Sequence, residues 1–292
     1  MTIQLLTIMA PVLICTGLGF IWAKLKMPFD NATAGMVVFG IGSPALIFNQ
    51  LATSKFDLAL IGWVMLASGI GVVVTALAAW PLLRAGGLDM RAFLPGVMHP
   101  NSGNLGLPLA LFAFGETGLT LAAAFYVVNA MSMYTLGATI SQGAFNLRAI
   151  ARIPLFYAVI AALAISISGA ALPQWIDDTT GLLGGLAIPL MLILLGNSLA
   201  SFRIASLRRC TLAAIVRLVV GFAVGVAMVE VLGWENPQRG VVILLSTMPI
   251  AIFNIVLAER FGRSPQDVAG SIVVSTLLFF AVLPALLWFV LD

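Results

Sequence analysis

The sequence predicts an all-α membrane protein of ten transmembrane helices, arranged as two inverted five-helix repeats with broken crossover helices four and nine. Three observations predict it. Hydrophobic residues make up 61% of the 292 and charged residues 9%, with a mean hydropathy of +1.12, where an ordinary soluble domain carries about 25% charged residues. Ten segments are each apolar over roughly the 20 residues that a bilayer-spanning helix requires. Two of those segments carry a proline, with asparagines after it, where a spanning helix should have its middle: MHPNSGNLGLP at residues 98–108 and STMPIAIFN at 246–254. Non-helical backbone at membrane depth is tolerated only where protein buries it or where it lines a cavity. Two such breaks, one in each half, are the sequence pointer to a transporter binding site.

The spans follow in order. Residues 4–23 form an apolar run long enough to span, with no basic leader before it, so the expectation is a first transmembrane helix and not a cleaved signal peptide. Span two, 31–52, contains GSPALIFNQLA, and span three, 58–83, carries no charge. Span four, 92–114, holds the first break, and span five, 117–142, has Asn129 midway along it. Span six is 153–171. Span seven, 181–201, contains AIPLMLILLGNSLA, and span eight, 210–232, contains Arg217 and, near its outer end, Glu230. Span nine, 239–259, holds the second break, and span ten is 268–290. Pro44 and Pro189 mark spans two and seven, as Pro100 and Pro249 mark four and nine. The same order of proline span, connecting span and broken span thus recurs. Five spans per unit is an odd number, so the second copy, 148–292, is inverted relative to the first, 1–147.

Charge in the loops sets the expected orientation. Lys24, Lys26, Arg84, Arg91, Arg148, Arg152, Arg203, Arg208, Arg209, Arg260 and Arg263 all follow odd-numbered spans, whereas the opposite side holds Lys55 and Arg239. Basic loops stay in the cytoplasm, which places the protein in the cytoplasmic membrane with both termini outside. The basic residues form no patch or stripe of the kind that binds nucleic acid.

The candidate site follows from the breaks. Pro100 has no N–H, and its ring disfavours helical geometry at His99, so the first half-helix should end near Met98. Asn101 and Ser102 are good N-cap residues for the second half-helix, and Asn104 adds an amide beside Gly103 and Gly106. A half-helix that starts inside the membrane presents free N–H groups and the positive end of its dipole, which is an anion site. In span nine Ser246 and Thr247 precede Pro249, and Asn254 follows. The alternative for span nine alone is a proline kink with Asn254 as interhelical glue.

Asn129 is the further candidate, with helix–helix glue as its alternative reading; Asn49 and Asn197 read as packing hydrogen bonds. His99, the one histidine, either carries a coupling proton or balances substrate charge, or it is a neutral cap on the first half-helix. Arg217 reads as a side chain that snorkels to the inner face, with a substrate role as the alternative. Cys15 and Cys210 form no motif and read as buried apolar residues. There is no GxSxG, HExxH, CxxC or Walker loop and no intramembrane acidic pair, so no enzyme class, metal or cofactor is expected.

At these motifs the chain resembles the auxin efflux carrier family, which includes the plant PIN proteins. The matching pieces are SPALIF, HPNSGNLGLPLALFAFGE, IPLMLILLGNSLA, TMPIAIFNIVLAERFG and VVSTLLFFAVLPALL. The resemblance covers essentially the whole chain, which lacks the long cytoplasmic loop of the long plant members. It implies a fold related to the bile acid–sodium symporters, with a scaffold (1–52 and 153–201) and a transport domain (58–142 and 210–290) that moves as an elevator. It implies a homodimer in a lipid bilayer and small organic anions as substrate, auxin-like acids or di- and monocarboxylates. Pro100 and Pro249 are then the crossover prolines, Asn101, Asn104 and Asn254 flank them, and Asn129 matches a substrate-contacting asparagine. The Asp–Lys pair that the plant proteins carry in span three has no counterpart here. The competing expectations are a sodium-coupled symporter of the bile-acid type and a channel or sensor on the same fold.

Overall fold

The computed structural model describes residues 2–54, 57–143 and 153–292. Lys55, Arg148 and Arg152, three of the loop cations behind the expected orientation, and the expected repeat boundary at 147/148 lie outside them. Regular structure among the described residues is helical throughout: α1 (Thr2–Lys24), α2 (Asn31–Val37), α3 (Ser43–Ala52), α4 (Leu58–Ala85), α5 (Met90–Met98), α6 (Leu107–Ser132), α7 (Ala138–Gln142), α8 (Pro154–Ser168), α9 (Gln174–Ser201), α10 (Leu207–Leu232), α11 (Gln238–Ser246), α12 (Asn254–Phe261) and α13 (Pro265–Leu291). Three wide π-type turns, Val38–Gly42, Ser102–Gly106 and Met133–Gly137, join α2 to α3, lead into α6, and join α6 to α7.

Aspartates set several of the starts. Asp30 accepts from the N–H groups of Ala32 and Thr33, Asp57 from Ala59, and Asp89 from Arg91, so the carboxylates cap α2, α4 and α5. The bond from the Thr33 hydroxyl, with those from the Ala32 and Thr33 N–H groups, holds the exposed Asp30 carboxyl below its ordinary pKa.

Seven continuous helical runs are long and apolar enough to cross a membrane. The expected spans one, two, three, seven, eight and ten are among them. The seventh run, Ser102–Gln142, is 41 residues long. At 1.5 Å per residue it would reach about 60 Å, twice the hydrocarbon thickness. It does not run straight: Gly115 has φ 67° and ψ −158°, open only to glycine, and breaks the run between expected spans four and five. Expected span six appears as α8, only 15 residues long. Expected span nine is divided between α11 and α12. Pro44 follows a wide turn, as expected where a ring disrupts the bonds of the preceding turn, whereas Pro189 lies inside an unbroken α9.

Packing sorts the helices. α1 lies along α9, and α3 packs between α8 and α9. α10 packs on α13 and α4, and α4 packs on α5 and α6. The α1–α9 contact is backbone on backbone: a Cβ on Gly19 would sit 2.1 Å from the Ile193 carbonyl oxygen, and one on Gly196 would sit 1.9 Å from that of Thr16. Lipid tails remove the hydrophobic drive between helices, so close approach through small residues is what holds such a pair. Asn49 adds a cross-link from α3 to α9, donating to Asp177 Oδ1 at 2.7 Å and Thr180 Oγ1 at 3.1 Å. Large apolar side chains such as Leu77, Trp63, Val231 and Trp288 face outward, as the lipid-facing surface of a membrane protein requires.

Candidate functional site at the crossing of two broken helices

The two breaks meet. α5 ends at Met98, and His99 leaves the helix with φ −109° and ψ 107°, the extended geometry imposed on a residue before proline. α11 ends at Ser246, and helix resumes only at Asn254. Between these ends the strands cross antiparallel. The Asn101 N–H donates to the Pro249 carbonyl at 2.8 Å, and the Ala251 N–H donates to the His99 carbonyl at 3.3 Å, which pairs Pro100 with Ile250. Each break thus satisfies polar backbone that the other has freed.

Each break is also held by the helix beyond it. Asn129 of α6 donates through Nδ2 to the Pro100 carbonyl at 2.9 Å and to Ser102 Oγ at 2.7 Å. Ser275 of α13 accepts from the Ile250 N–H at 3.2 Å. The local sequences are VVN (127–129) and VVS (273–275). Ser275 was not singled out from the sequence, although this local match in spans five and ten was available to find it.

A cavity of about 30 Å³ lies against the crossing, and Pro100, Asn101, Asn104 and Asn129 line it. Asn101 Nδ2 and Asn129 Oδ1 are buried without a hydrogen-bond partner. An unmet buried amide costs roughly 1–3 kcal/mol, which marks this spot as one where a ligand or water supplies the missing group. The expected cap differs: the Asn101 side chain makes no cap bond, because its backbone is committed to the bridge and its amide to the cavity.

The other candidates do not line the cavity. Ser102 sits behind Asn129. His99 is fully buried, with Nδ1 2.7 Å from the Pro95 carbonyl and Nε2 3.0 Å from Ser132 Oγ. A carbonyl only accepts, so Nδ1 carries a proton; Ser132 Oγ, which has a single proton and also lies 2.9 Å from the Asn129 carbonyl, meets the ring at Nε2. Thr247 Oγ1 donates to the Ile243 carbonyl at 2.7 Å, Pro249 forms the bridge, and Asn254 Nδ2 donates to the Ala251 carbonyl at 3.0 Å, leaving Oδ1 unpartnered.

Aromatic rings wall the cavity. Tyr134 meets Phe253 edge-on with centroids 4.7 Å apart, and Phe39 meets Phe253 at 6.3 Å. Tyr126 lines the cavity deeper in, where a Cβ on Gly103 would lie 2.7 Å from its ring. Phe39, Tyr134, Ile252 and Phe253 also border a second cavity of about 700 Å³, which reaches Asn31, Ser198, Phe202 and Glu259. In apolar spans such rings read as packing. The one signal was the wide turn holding Tyr134, which shows only in three dimensions.

Arg217 does not snorkel. It is 1% exposed and donates through Nη1 to the Val97 carbonyl at 2.7 Å and through its other terminal nitrogen to the Ser246 carbonyl. The expectation of an inner-face position fails because its face of α10 points at the ends of α5 and α11 and not toward a loop.

An apolar helical chain whose two halves each break, and whose breaks cross beside a small cavity lined by amides and aromatic rings, is a membrane transporter in architecture. The chain belongs to the Membrane transport protein family, that of the auxin efflux carriers, whose model matches it twice, over residues 4–146 and again over 139–289. It is 30% identical over 295 residues to an uncharacterized transporter of Methanothermobacter thermautotrophicus, an alignment covering 95% of each chain. It is 25% identical over 219 residues to an uncharacterized transporter of Methanocaldococcus jannaschii, covering 72% of this chain and 70% of that one.

Proposed function

We propose that this protein is a secondary carrier of small organic anions, auxin-like acids or di- and monocarboxylates, working by an elevator motion across the cytoplasmic membrane. The carrying observation is the crossing itself: a cavity that faces an unpartnered amide donor, Asn101 Nδ2, beside the start of a half-helix. Both features favour a carboxylate. The ten-span architecture is two inverted five-helix units, supported by the doubled family match and by the paired supports Asn129 and Ser275. In this reading α1–α3, α8 and α9 are the scaffold, and α4–α7 with α10–α13 move. The assembly is a homodimer.

The conformation reads as occluded toward the inside. The larger cavity reaches elements flanking the loops of Lys24, Lys26, Arg203, Arg260 and Arg263, the basic and hence cytoplasmic side. The inner cavity, about 30 Å³, has room for two or three waters at roughly 10–15 Å³ each, so substrate enters only once Tyr134 and Phe253 part.

His99, its Nδ1–H bonded to the Pro95 carbonyl and its ring outside the cavity, serves as a cap and not as the coupling group. With no carboxylate deep in a span, transport runs on voltage, worth about 2.3 kcal/mol per charge per 100 mV, without sodium.

Flux of labelled carboxylates into proteoliposomes, under imposed voltage, sodium and pH gradients, tests this. Saturable, voltage-responsive, sodium-independent uptake is expected. Unsaturable current or a sodium requirement overturns it. Topology is tested with Thr2→Cys and Ile150→Cys in a background lacking Cys15 and Cys210. Impermeant thiol reagents should reach the first from outside and the second from inside.

A further inference from the structure

Arg217 stands apart among the described cations: it is 1% exposed. Among the described residues the one ion pair is Arg209 with Asp267, so no described carboxylate balances the buried Arg217 guanidinium. What it touches is backbone: the carbonyls of Val97, penultimate in α5, and Ser246, last in α11. Both are helix C-terminal ends, each worth about half a negative charge. Two such ends together offer about one negative charge, which one guanidinium balances.

The surroundings are shaped for this contact. A Cβ on Gly221 would lie 2.2 Å from both Arg217 Nη2 and the Ser246 carbonyl oxygen, so only glycine leaves room on α10. The Ser246 hydroxyl is buried with no partner. Without the guanidinium, the Val97 and Ser246 carbonyl oxygens would remain together on the C-terminal ends of the half-helices. That is an all-oxygen donor set of the kind a hard monovalent cation accepts.

We infer that Arg217 is a tethered cation of the crossover: its guanidinium occupies the place of a dissociable monovalent cation on the C-terminal ends of α5 and α11. The inference deepens the carrier reading, on which its functional meaning rests, by naming the residue that makes a coupling metal ion unnecessary. Arg217 is a positioning residue. It fixes the two half-helix ends relative to each other and so holds the Pro100–Ile250 crossing, without touching the substrate cavity.

The test is cation-specific rescue of the purified protein. Wild type, Arg217→Ala and Arg217→Lys are melted in choline chloride, sodium chloride or guanidinium chloride at equal low-millimolar concentration. Arg217→Ala should melt below wild type in choline, and sodium or guanidinium should raise its midpoint by roughly 3 °C at ten times the dissociation constant. Wild type and Arg217→Lys should be indifferent to the cation. A side chain that served only as packing would show no such selectivity, so an Arg217→Ala midpoint equal in all three salts overturns the inference. If Arg217→Ala is not recovered folded in any salt, Arg217→Lys against Arg217→Met decides. Lys retaining the fold where Met loses it supports a cation at this place, and equal behaviour of the two overturns it. Flux reads separately: a wild type that moves no anion removes the carrier reading and leaves the melting comparison intact.

Discussion

The first break and the second are the same device with different contents. Around Pro100 the chain supplies amides: Asn101 and Asn104 line the cavity, and Asn129 grips the Pro100 carbonyl. Around Pro249 it supplies apolar bulk: Ala251, Ile252 and Phe253 close the same cavity, and the polar residues Thr247 and Asn254 are spent on neighbouring carbonyls. The backbone bridge is shared evenly, with one bond given in each direction. The difference teaches that repetition of a backbone break does not repeat its chemistry. One half presents hydrogen-bonding groups, and the other shuts them away from water.

Substitution can break that comparison most sharply at the cavity amides. Asn101→Ala and Asn104→Ala should each lower carboxylate uptake by about ten- to a hundredfold, since a hydrogen bond to a charged group is worth roughly 1.5–3 kcal/mol. The melting temperature of Asn101→Ala should barely change, because Nδ2 has no protein partner to lose. Asn254→Ala should do the reverse, with modest destabilisation and a KM within about threefold of wild type. An equal loss of uptake at Asn254 would erase the division of labour between the breaks.

A smaller effect separates the two supports. Asn129→Ala strips a donor from both the Pro100 carbonyl and Ser102 Oγ and should cost about 1–3 kcal/mol, while Ser275→Ala strips one acceptor from Ile250 and should cost about 1 kcal/mol. Thermal melts of the two variants in the same detergent decide it, and a Ser275→Ala as damaging as Asn129→Ala would mean that the second break, not the first, is the rigid one.

Phe253→Ala tests the closing role of the second break. In a background with Asn101→Cys and no other cysteine, the thiol should label several-fold faster from the basic-loop side once the ring is gone, and an unchanged rate would show that Phe253 is not the barrier.

The smallest change is expected at His99. Its ring is satisfied by Pro95 and Ser132 away from the cavity, so His99→Gln should leave the pH profile of uptake unchanged while lowering stability slightly. A shifted profile would return His99 to the coupling role that its place beside the break suggested.

The sequence alone determined that the protein lives in a membrane, where its helices break, and which residues stand at the breaks. Those facts rest on local physics: apolar length, the missing N–H of proline, and the rarity of asparagine in lipid-spanning segments. Only the tertiary structure decided which of those residues share a cavity. His99 and Asn101 are two positions apart yet face different partners, since His99 is extended (φ −109°, ψ 107°) while Asn101 is not (φ −74°, ψ 55°), and the turn between them breaks the alternation that would put both on one side. Tyr134 and Phe253 look like packing in one dimension and become a wall only when two halves of the chain cross. Arg217 looked free to reach a loop because sequence gives depth along a helix but not the face it presents. That face was set by the packing of α10 against the ends of two broken helices, a contact between residues more than a hundred positions apart in the case of Val97.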